Sequence, residues 1–277
     1  MWGFGVVLVL VLAAAMSSDA FGLGVGKHLQ QMAKLGRGTM AAATLAVAMA
    51  VTPVHAAAPG SDVNVYFGVG CFWHVQHEFV ETEKKVLTRD DNHITSKAGY
   101  AGGLSVGKVA NRLDNKEGIV CYHNLLGKGD YGQLGYGEVV GMDIPAASVR
   151  QFADEYFSLF GKDLERPDKG DRGPEYRSLL GLPGGVNSPL YAAVKEAADA
   201  RGLALLEGKG NDPDTLGKRA VFVMDTAAFP FRQAEVYHQF HDGFMAGEQY
   251  GALYHGLQAA ALKDGRLHYT GCPDTTL

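Results

Sequence analysis

Apolar and polar residues alternate over residues 63–67 and then recur at helical spacing over residues 72–79. The first pattern predicts a half-buried strand, and the second predicts an amphipathic helix. The segment Gly68-Val69-Gly70-Cys71 joins the two patterns. The sequence therefore predicts that Cys71 lies at the start of a helix that follows directly on a strand.

Further along the chain, strand and helix patterns alternate. A glycine-rich stretch covers 99–107, and the pattern after it predicts strands over 118–123 and 138–144 and a helix over 146–160. A long loop is expected over 161–175. It is followed by a helix capped by Ser188 and Pro189 that runs to residue 200, and by a strand over 220–224. This β-α-β-β-α-β order predicts an α+β fold of one domain. We expect a ferredoxin-like α/β sandwich, with helices packed on a mixed or antiparallel sheet.

Residues 1–60 have the pattern of a cleavable targeting leader. An apolar run over 4–16, a basic stretch poor in acidic residues and a second, alanine-rich apolar run over 40–51 follow one another. Two stacked signals resemble the leaders of algae with complex plastids, so we expect a plastid location, with the thylakoid lumen as a further destination. The secretory pathway, or one signal followed by a membrane anchor, is the alternative. The catalytic domain is then expected over 61–260 and a mobile tail over 261–277.

The composition indicates a folded chain of enzyme size. It has 277 residues, 47% of them hydrophobic and 20% charged, with a net charge of −5. That charge gives no electrostatic basis for binding nucleic acid, and membrane contact is expected only through an uncleaved leader. The three cysteines, Cys71, Cys121 and Cys272, are too few for a disulfide framework and form no CxxC pair.

Cys71 is the first candidate for chemistry. Free backbone N–H groups at a helix start favour the thiolate, which is the nucleophilic form. From these residues alone, a small buried side chain is an equally good interpretation. Cys71, His74 and His77 also share one helix face, which suggests zinc, but no fourth ligand is evident and no metal is expected.

Five motifs follow one another along the chain. They are Gly70-Cys71-Phe72-Trp73, Gly99-Tyr100-Ala101-Gly102-Gly103, Gly137-Glu138-Val139-Val140, Asp171 followed by Tyr176-Arg177-Ser178, and Ala234-Glu235-Val236-Tyr237-His238-Gln239. With these motifs, residues 62–250 resemble the A-type peptide methionine sulfoxide reductases. The resemblance implies thiol-dependent reduction of methionine S-sulfoxide, free or in proteins, to methionine.

The resemblance also implies a role for each motif residue. Cys71 would be the nucleophile, Tyr100 and Tyr176 would donate hydrogen bonds to the sulfoxide oxygen, and Asp171 would position this network. Glu138 would be the acid, since it opens an apolar strand where burial raises a carboxyl pKa. Phe72 and Trp73 would line an apolar slot for the methyl group of the substrate.

A second thiol would have to resolve the sulfenic acid that the first step leaves on Cys71. We expect Cys272, in the tail, to do this, with Cys121 as the alternative; the apolar strand around Cys121 favours a buried, inert thiol. The resemblance implies an intramolecular disulfide recycled by thioredoxin or an equivalent dithiol. The expected partners are thus oxidised protein or free methionine sulfoxide and thioredoxin, with no bound cofactor, and the chain is expected to be a monomer.

Some positions depart from the family pattern. His74 stands where glycine is usual, Gln76 where glutamate is usual, Tyr136 lies in an altered run before Glu138, and residues 104–134 form a long insertion that could change specificity. These departures motivate a second interpretation, a catalytically weakened member that acts as a redox-sensing or binding module. A thiol hydrolase with Cys71 and His238 as nucleophile and base is a third.

Overall fold

The computed structural model describes residues 61–103, 118–243 and 249–273. The predicted leader, and the part of the insertion over 104–117, lie outside the described residues. Within the described ranges, no helix has both the length and the apolar character that crossing a membrane requires.

A seven-stranded mixed sheet forms the centre of the fold, in the order β5-β6-β4-β1-β3-β2-β7. The strands are β1 (Asp62–Gly68), β2 (Lys97–Ala101), β3 (Gly137–Pro145), β4 (Leu179–Leu182), β5 (Ala204–Glu207), β6 (Ala220–Asp225) and β7 (Arg232–Gln233). Strand β1 runs antiparallel to β3 and β4, and β2 runs antiparallel to β3 and β7. Strand β6 pairs in parallel with β4, and the edge strand β5 pairs in parallel with β6. The sheet therefore has an antiparallel centre and one parallel edge.

In the described part of the chain, four α-helices accompany the sheet: α1 (Phe72–Leu87), α2 (Val149–Ser158), α3 (Tyr191–Arg201) and α4 (Ala252–Lys263). Aromatic side chains from α1 and α2 pack on one face of the sheet. The ring of Phe79 lies 5.1 Å from that of Phe67 on β1 and 6.1 Å from that of Phe152 on α2. Because burying each such ring contributes about 1.5–3 kcal/mol, this layer fixes α1 against the sheet.

The predicted α+β class is confirmed, as are β1 and the start of α1 at Phe72. The segment from β1 to β4 has the expected β-α-β-β-α-β order with antiparallel pairing. The predicted strand over 118–123 is wrong: one isolated bridge, between Cys121 and Asp130, occurs there. The second strand is instead Lys97–Ala101, which overlaps the start of the glycine-rich stretch.

Two further differences concern the C-terminal half. Helix α3 begins at Tyr191, two residues later than predicted, because the Ser188 hydroxyl accepts the N–H of Leu190 in a turn before the helix. The short strands β4, β5 and β7 and helix α4 had no clear pattern in the sequence. Helix α4 and the buried Leu267 pack with Val80 and Ile94 in a second apolar cluster.

Candidate active site

Two glycines shape the connection between β1 and α1. A Cβ on Gly68 would collide with the backbone oxygen of Glu138, so only glycine lets β1 and β3 approach this closely. Gly70 has a φ of 77° and donates its N–H to the Tyr176 carbonyl at 3.2 Å. The chain can therefore turn sharply and place Cys71 at the N-cap of α1, half-buried.

Cys71 opens onto a cavity of about 180 Å³. Its lining consists of Cys71, Phe72, Trp73, Tyr122, Glu138, Asp168, Asp171 and Tyr176. The structure thus brings together most of the residues that the sequence nominated. Tyr122 and Asp168, which the sequence did not nominate, also line the cavity, whereas Tyr100 does not.

Glu138 is buried at the back of this cavity, with 2% of its surface exposed. Its Oε2 accepts the backbone N–H of Phe72 at 2.9 Å, and its Oε1 accepts the hydroxyl of Tyr131 at 3.1 Å. Burial raises the pKa of Glu138 to about 8, against the opposing effect of these two hydrogen bonds. At neutral pH the carboxyl therefore holds a proton and can act as an acid.

The Cys71 thiol has a pKa well above its usual range. Burial is the main cause, and ionisation of Glu138 or Asp171 raises the pKa further. The backbone N–H groups of Trp73 and His74 lower the pKa, as a helix start should, but they are the weaker influence. The expectation of a resting thiolate at Cys71 is therefore wrong, because desolvation outweighs the effect of the helix terminus.

Asp171 lies beside the nucleophile. Its carboxylate accepts the backbone N–H of Cys71, and burial, followed by the charge of Asp168, raises its pKa. Its Oδ2 is buried and has no hydrogen-bond partner in the part of the chain that the structure describes. Asp171 therefore fixes the Cys71 backbone and keeps one oxygen available to a ligand.

Three tyrosine hydroxyls lie close together beside Glu138. Tyr131 donates its hydroxyl to Glu138 Oε1 at 3.1 Å, and the Tyr176 hydroxyl lies near those of Tyr122 and Tyr131. Burial raises the pKa of Tyr122 to about 12 and that of Tyr176 further still, with Glu138 as the next cause in both. All three hydroxyls keep their protons and can donate hydrogen bonds.

Tyr122 and Tyr131 are the functional candidates that sequence reasoning missed. Tyr131 lies inside the insertion and Tyr122 directly follows Cys121, so neither belongs to a recognised motif. Tyr100, which the resemblance nominated, instead donates its hydroxyl to Glu235 Oε2 at 2.9 Å and packs its ring on Tyr131 at 4.7 Å. Tyr100 therefore packs against a residue of the site, Tyr131, and does not itself line the cavity.

An aromatic wall encloses the other side of the cavity. Trp73 Nε1 donates to His238 Nδ1 at 3.3 Å, and the His238 ring packs on Phe72 and Tyr122. Burial lowers the pKa of His238 to about 3, so the imidazole is neutral and can accept this bond. His238 is thereby committed to holding Trp73, which argues against the thiol hydrolase interpretation.

The positions that depart from the family pattern lie around the site. Gln76 is fully buried and bonds to the Ser96 carbonyl, to Gln239 and to the Phe240 N–H. Tyr136 packs where a Cβ on Gly103 would collide with its ring. Neither side chain lines the cavity around Cys71.

Cys121 and Cys272 form a disulfide, and Cys71 is free. Cys121 is therefore not the inert, unpaired thiol that its apolar surroundings suggested. The disulfide borders a second cavity of about 290 Å³, whose lining includes Tyr122, Glu235, Tyr237 and Tyr269. Since Tyr122 lines both cavities, it separates the disulfide from the Cys71 pocket.

The segment before Cys272 is anchored to the body of the domain. Arg266 donates to the Ile94 carbonyl at 2.9 Å, and Gln233 Nε2 donates to the His268 carbonyl at 2.6 Å. Together with the disulfide, these contacts hold the beginning of the predicted tail at the edge of β7.

No family model matches this chain, and no curated protein matches it. Among solved structures, Mxr1 from Saccharomyces cerevisiae in reduced form is similar with a TM-score of 0.38 and 22% identity, over 65% of this chain and 83% of that one. Methionine sulfoxide reductase A of Corynebacterium diphtheriae has a TM-score of 0.38 and 16% identity, over 71% and 82%. An unusual oxidized form of Mxr1 has a TM-score of 0.35 and 22% identity, over 64% and 78%. At these levels of similarity, a functional assignment has to rest on the residues of the site.

Proposed function

We propose that this protein reduces methionine S-sulfoxide, free or in oxidised proteins, to methionine, with Cys71 as the nucleophile. One observation carries the proposal: a half-buried thiol at a helix start and a buried acid with a pKa of about 8 share one small aromatic-walled cavity. A thiol, a proton donor and an apolar wall are what reduction of a polar S=O group on an apolar side chain requires.

The substrate would enter with its methyl group against Phe72 and Trp73. Flat aromatic walls recognise a small apolar group and lose little conformational entropy on binding it. The Trp73 ring is fixed by its bond to His238, so the slot exists before the substrate arrives. The sulfoxide oxygen would then point towards Glu138 and Tyr176.

In the first step, the Cys71 sulfur attacks the sulfoxide sulfur while Glu138 protonates the sulfoxide oxygen. The substrate S–O bond breaks, a sulfur–oxygen bond forms on Cys71, and methionine leaves. The thiol proton of Cys71 replaces the proton that Glu138 gives up. One oxygen atom is thus transferred, Cys71 becomes a sulfenic acid, and the methionine sulfur is reduced.

Tyr176 and Tyr122 would stabilise the negative charge that develops on the oxygen. Both line the cavity and both keep their hydroxyl protons, because burial raises their pKa values. Removing one such donor from an enzyme typically costs about 10²–10³-fold in rate. Tyr122 would here donate the hydrogen bond to the sulfoxide oxygen that the resemblance implied for Tyr100.

Resolution would use the two remaining cysteines. The Cys272 thiol attacks the Cys71 sulfenic acid, which forms a disulfide and releases water; the Cys121 thiolate then attacks Cys272 and frees Cys71. The Cys121–Cys272 disulfide seen here would be the product of this exchange. An external dithiol of the thioredoxin class would reduce it and complete the cycle.

Turnover of the S-epimer of a blocked methionine sulfoxide tests the proposal, with dithiothreitol and then with thioredoxin as reductant. Wild type should turn over with both, and Cys71→Ser with neither. Cys272→Ser should lose turnover with thioredoxin and keep the first turnover. Undiminished activity of Cys71→Ser would overturn the nucleophile assignment, whereas full thioredoxin-dependent activity of Cys272→Ser would overturn only the resolving step.

A redox-sensing role is the second candidate, and the bonding of Cys272 to Cys121 favours it. A sensor would store its oxidation state in this disulfide without turnover at Cys71. The same assay separates the two functions, because a sensor would form and lose the disulfide without producing methionine.

A further inference from the structure

One group of ligand atoms lies outside the Cys71 cavity. The sulfur atoms of Cys121 and Cys272 and one carboxylate oxygen of Glu235 all lie within 4.8 Å of one another. Among residues 61–103, 118–243 and 249–273, no other group of three cysteine, histidine or acidic side chains is spaced to hold a metal ion. The group borders the second cavity, which leaves room for water beside it.

Glu235 is held rigidly in this group. Its Oε1 accepts the backbone N–H of Tyr122 at 2.7 Å, and its Oε2 accepts the hydroxyl of Tyr100 at 2.9 Å. Outer hydrogen bonds of this kind fix the orientation of a metal-binding carboxylate and tune its affinity. In the role proposed for the Cys71 cavity, this carboxylate contacts no substrate.

We propose that the reduced form of the protein binds one Zn²⁺ through Cys121, Cys272 and Glu235, with water as the fourth ligand. An external dithiol or phosphine first reduces the disulfide to two thiols. Zinc then displaces the two thiol protons and binds both thiolates and the carboxylate. Two thiolates with an oxygen ligand suit zinc, whereas oxygen-preferring cations such as Mg²⁺ do not take sulfur.

The local geometry fits this ligand set. A zinc–sulfur distance of about 2.3 Å and a tetrahedral angle place two thiolates about 3.8 Å apart. The sulfur atoms, joined in the disulfide, have to separate after reduction. Cys272 can supply this movement, since it follows Gly271 near the described end of the chain, while Cys121 is buried and fixed by backbone bonds to Gly129 and Tyr131.

Zinc at this place would withdraw Cys272 from Cys71. This consequence rests on the proposed function, whereas zinc binding itself does not. With zinc bound, the first reduction of sulfoxide at Cys71 would proceed at its normal rate, but resolution through Cys272 would slow. The metal would also protect the pair from reoxidation to the disulfide.

The test is zinc binding by the full chain reduced with a phosphine under anaerobic conditions, followed by desalting and metal analysis. Reduced wild type and Cys71→Ser should each retain one zinc per chain. Oxidised wild type, Cys121→Ser and Cys272→Ser should retain none, and Glu235→Gln should bind at least tenfold more weakly in competition with a chromophoric chelator. Cobalt titration of the reduced protein should give a sulfur-to-metal absorption band that Cys272→Ser lacks.

Absence of zinc from reduced wild type, or equal binding by Cys272→Ser, would overturn the proposal. Unchanged affinity of Glu235→Gln would overturn the carboxylate ligand. Cys272→Ser changes a residue near the chain end outside the core, and circular dichroism checks that each variant is folded. Zinc binding without any sulfoxide reduction would refute the proposed function alone, so the two failures are distinguishable.

Discussion

The backbone N–H of Phe72 donates a hydrogen bond of 2.9 Å to Glu138 Oε2, across 66 residues of sequence. This bond ties the proposed acid to the first residue of the helix that Cys71 caps. Gly68 makes the bond possible, because any side chain there would meet the backbone oxygen of Glu138. The nucleophile and the acid are therefore positioned by one packing contact between β1 and β3.

Glu138→Gln should slow the first reduction of methionine sulfoxide by about 10²–10⁴-fold, the usual effect of removing a positioned acid. Glutamine can keep the bond from Phe72 but cannot supply a proton. Rapid-quench measurement of methionine formed by the reduced protein in one turnover checks this. Glu81→Gln, an exposed position on α1, is the matched control, and a loss below tenfold for Glu138→Gln would argue against an acid role.

The single-turnover rate should fall as the pH rises through about 8. Glu138 acts as an acid only while protonated, and burial places its pKa at about 8. A mechanism limited by thiolate at Cys71 would show the opposite slope, because the thiolate fraction rises with pH. A rate that climbs steadily from pH 7 to 9 would contradict the acid assignment.

Stability should fall as the pH rises from the ordinary pKa of a glutamate towards about 8. The folded pKa of Glu138 lies above its value in the unfolded chain, so its favourable contribution is complete at low pH and is lost as the pH rises through about 8. Denaturant unfolding of wild type and Glu138→Gln at pH 5 and pH 9 measures this effect. The variant should lose less stability between the two pH values, and an equal loss in both proteins would contradict the assignment.

Tyr122→Phe should slow the first turnover by about 10²-fold, like Tyr176→Phe, because both side chains line the cavity. Tyr100→Phe should leave that rate nearly unchanged and instead lower the free energy of unfolding by about 1–3 kcal/mol, since its hydroxyl bonds to Glu235. Single-turnover kinetics and denaturant unfolding of all three variants separate rate from stability. If Tyr100→Phe were as slow as Tyr176→Phe, Tyr100 would act as a donor to the sulfoxide oxygen, as the resemblance implied.

Glu83→Ala should lower the free energy of unfolding by about 3–5 kcal/mol, because it removes the buried ion-pair partner of Arg89 and the acceptor of two backbone N–H groups. Glu83 is fully buried and accepts bonds from Arg89, from the Thr95 N–H and from the Ser96 N–H, at 2.6, 2.8 and 2.7 Å. Urea unfolding measures the change, with the exposed Glu81→Ala as control. A loss no larger than that of the control would show that this network contributes little.

The sequence predicted the parts of the fold whose patterns are regular. Alternation of apolar and polar residues predicted β1, and the helical spacing of apolar residues predicted α1. The junction of the two patterns predicted that Cys71 lies at a helix start. Strand β2 was missed because Gly99 interrupts its pattern. That glycine is required by tertiary packing, since a side chain there would meet the ring of Phe231 and the backbone of Arg232.

Within the candidate site, the sequence could nominate only residues that lie in motifs. Cys71, Glu138, Asp171 and Tyr176 line one cavity, as their motifs implied. The raised pKa of Cys71 could not be predicted, because it depends on burial and on carboxylates distant in sequence. The same holds for the pairing of Cys121 with Cys272, which are 151 residues apart.

The most direct test of the account follows Cys71 itself. The reduced Cys121→Ser/Cys272→Ser double variant is mixed with one equivalent of the S-epimer of a blocked methionine sulfoxide, without reductant, and the peptide that carries Cys71 is analysed by mass spectrometry. The account predicts one equivalent of methionine and one added oxygen atom on Cys71, trapped by a reagent specific for sulfenic acid. Failure to form methionine, or methionine formed while Cys71 remains an unmodified thiol, would contradict it.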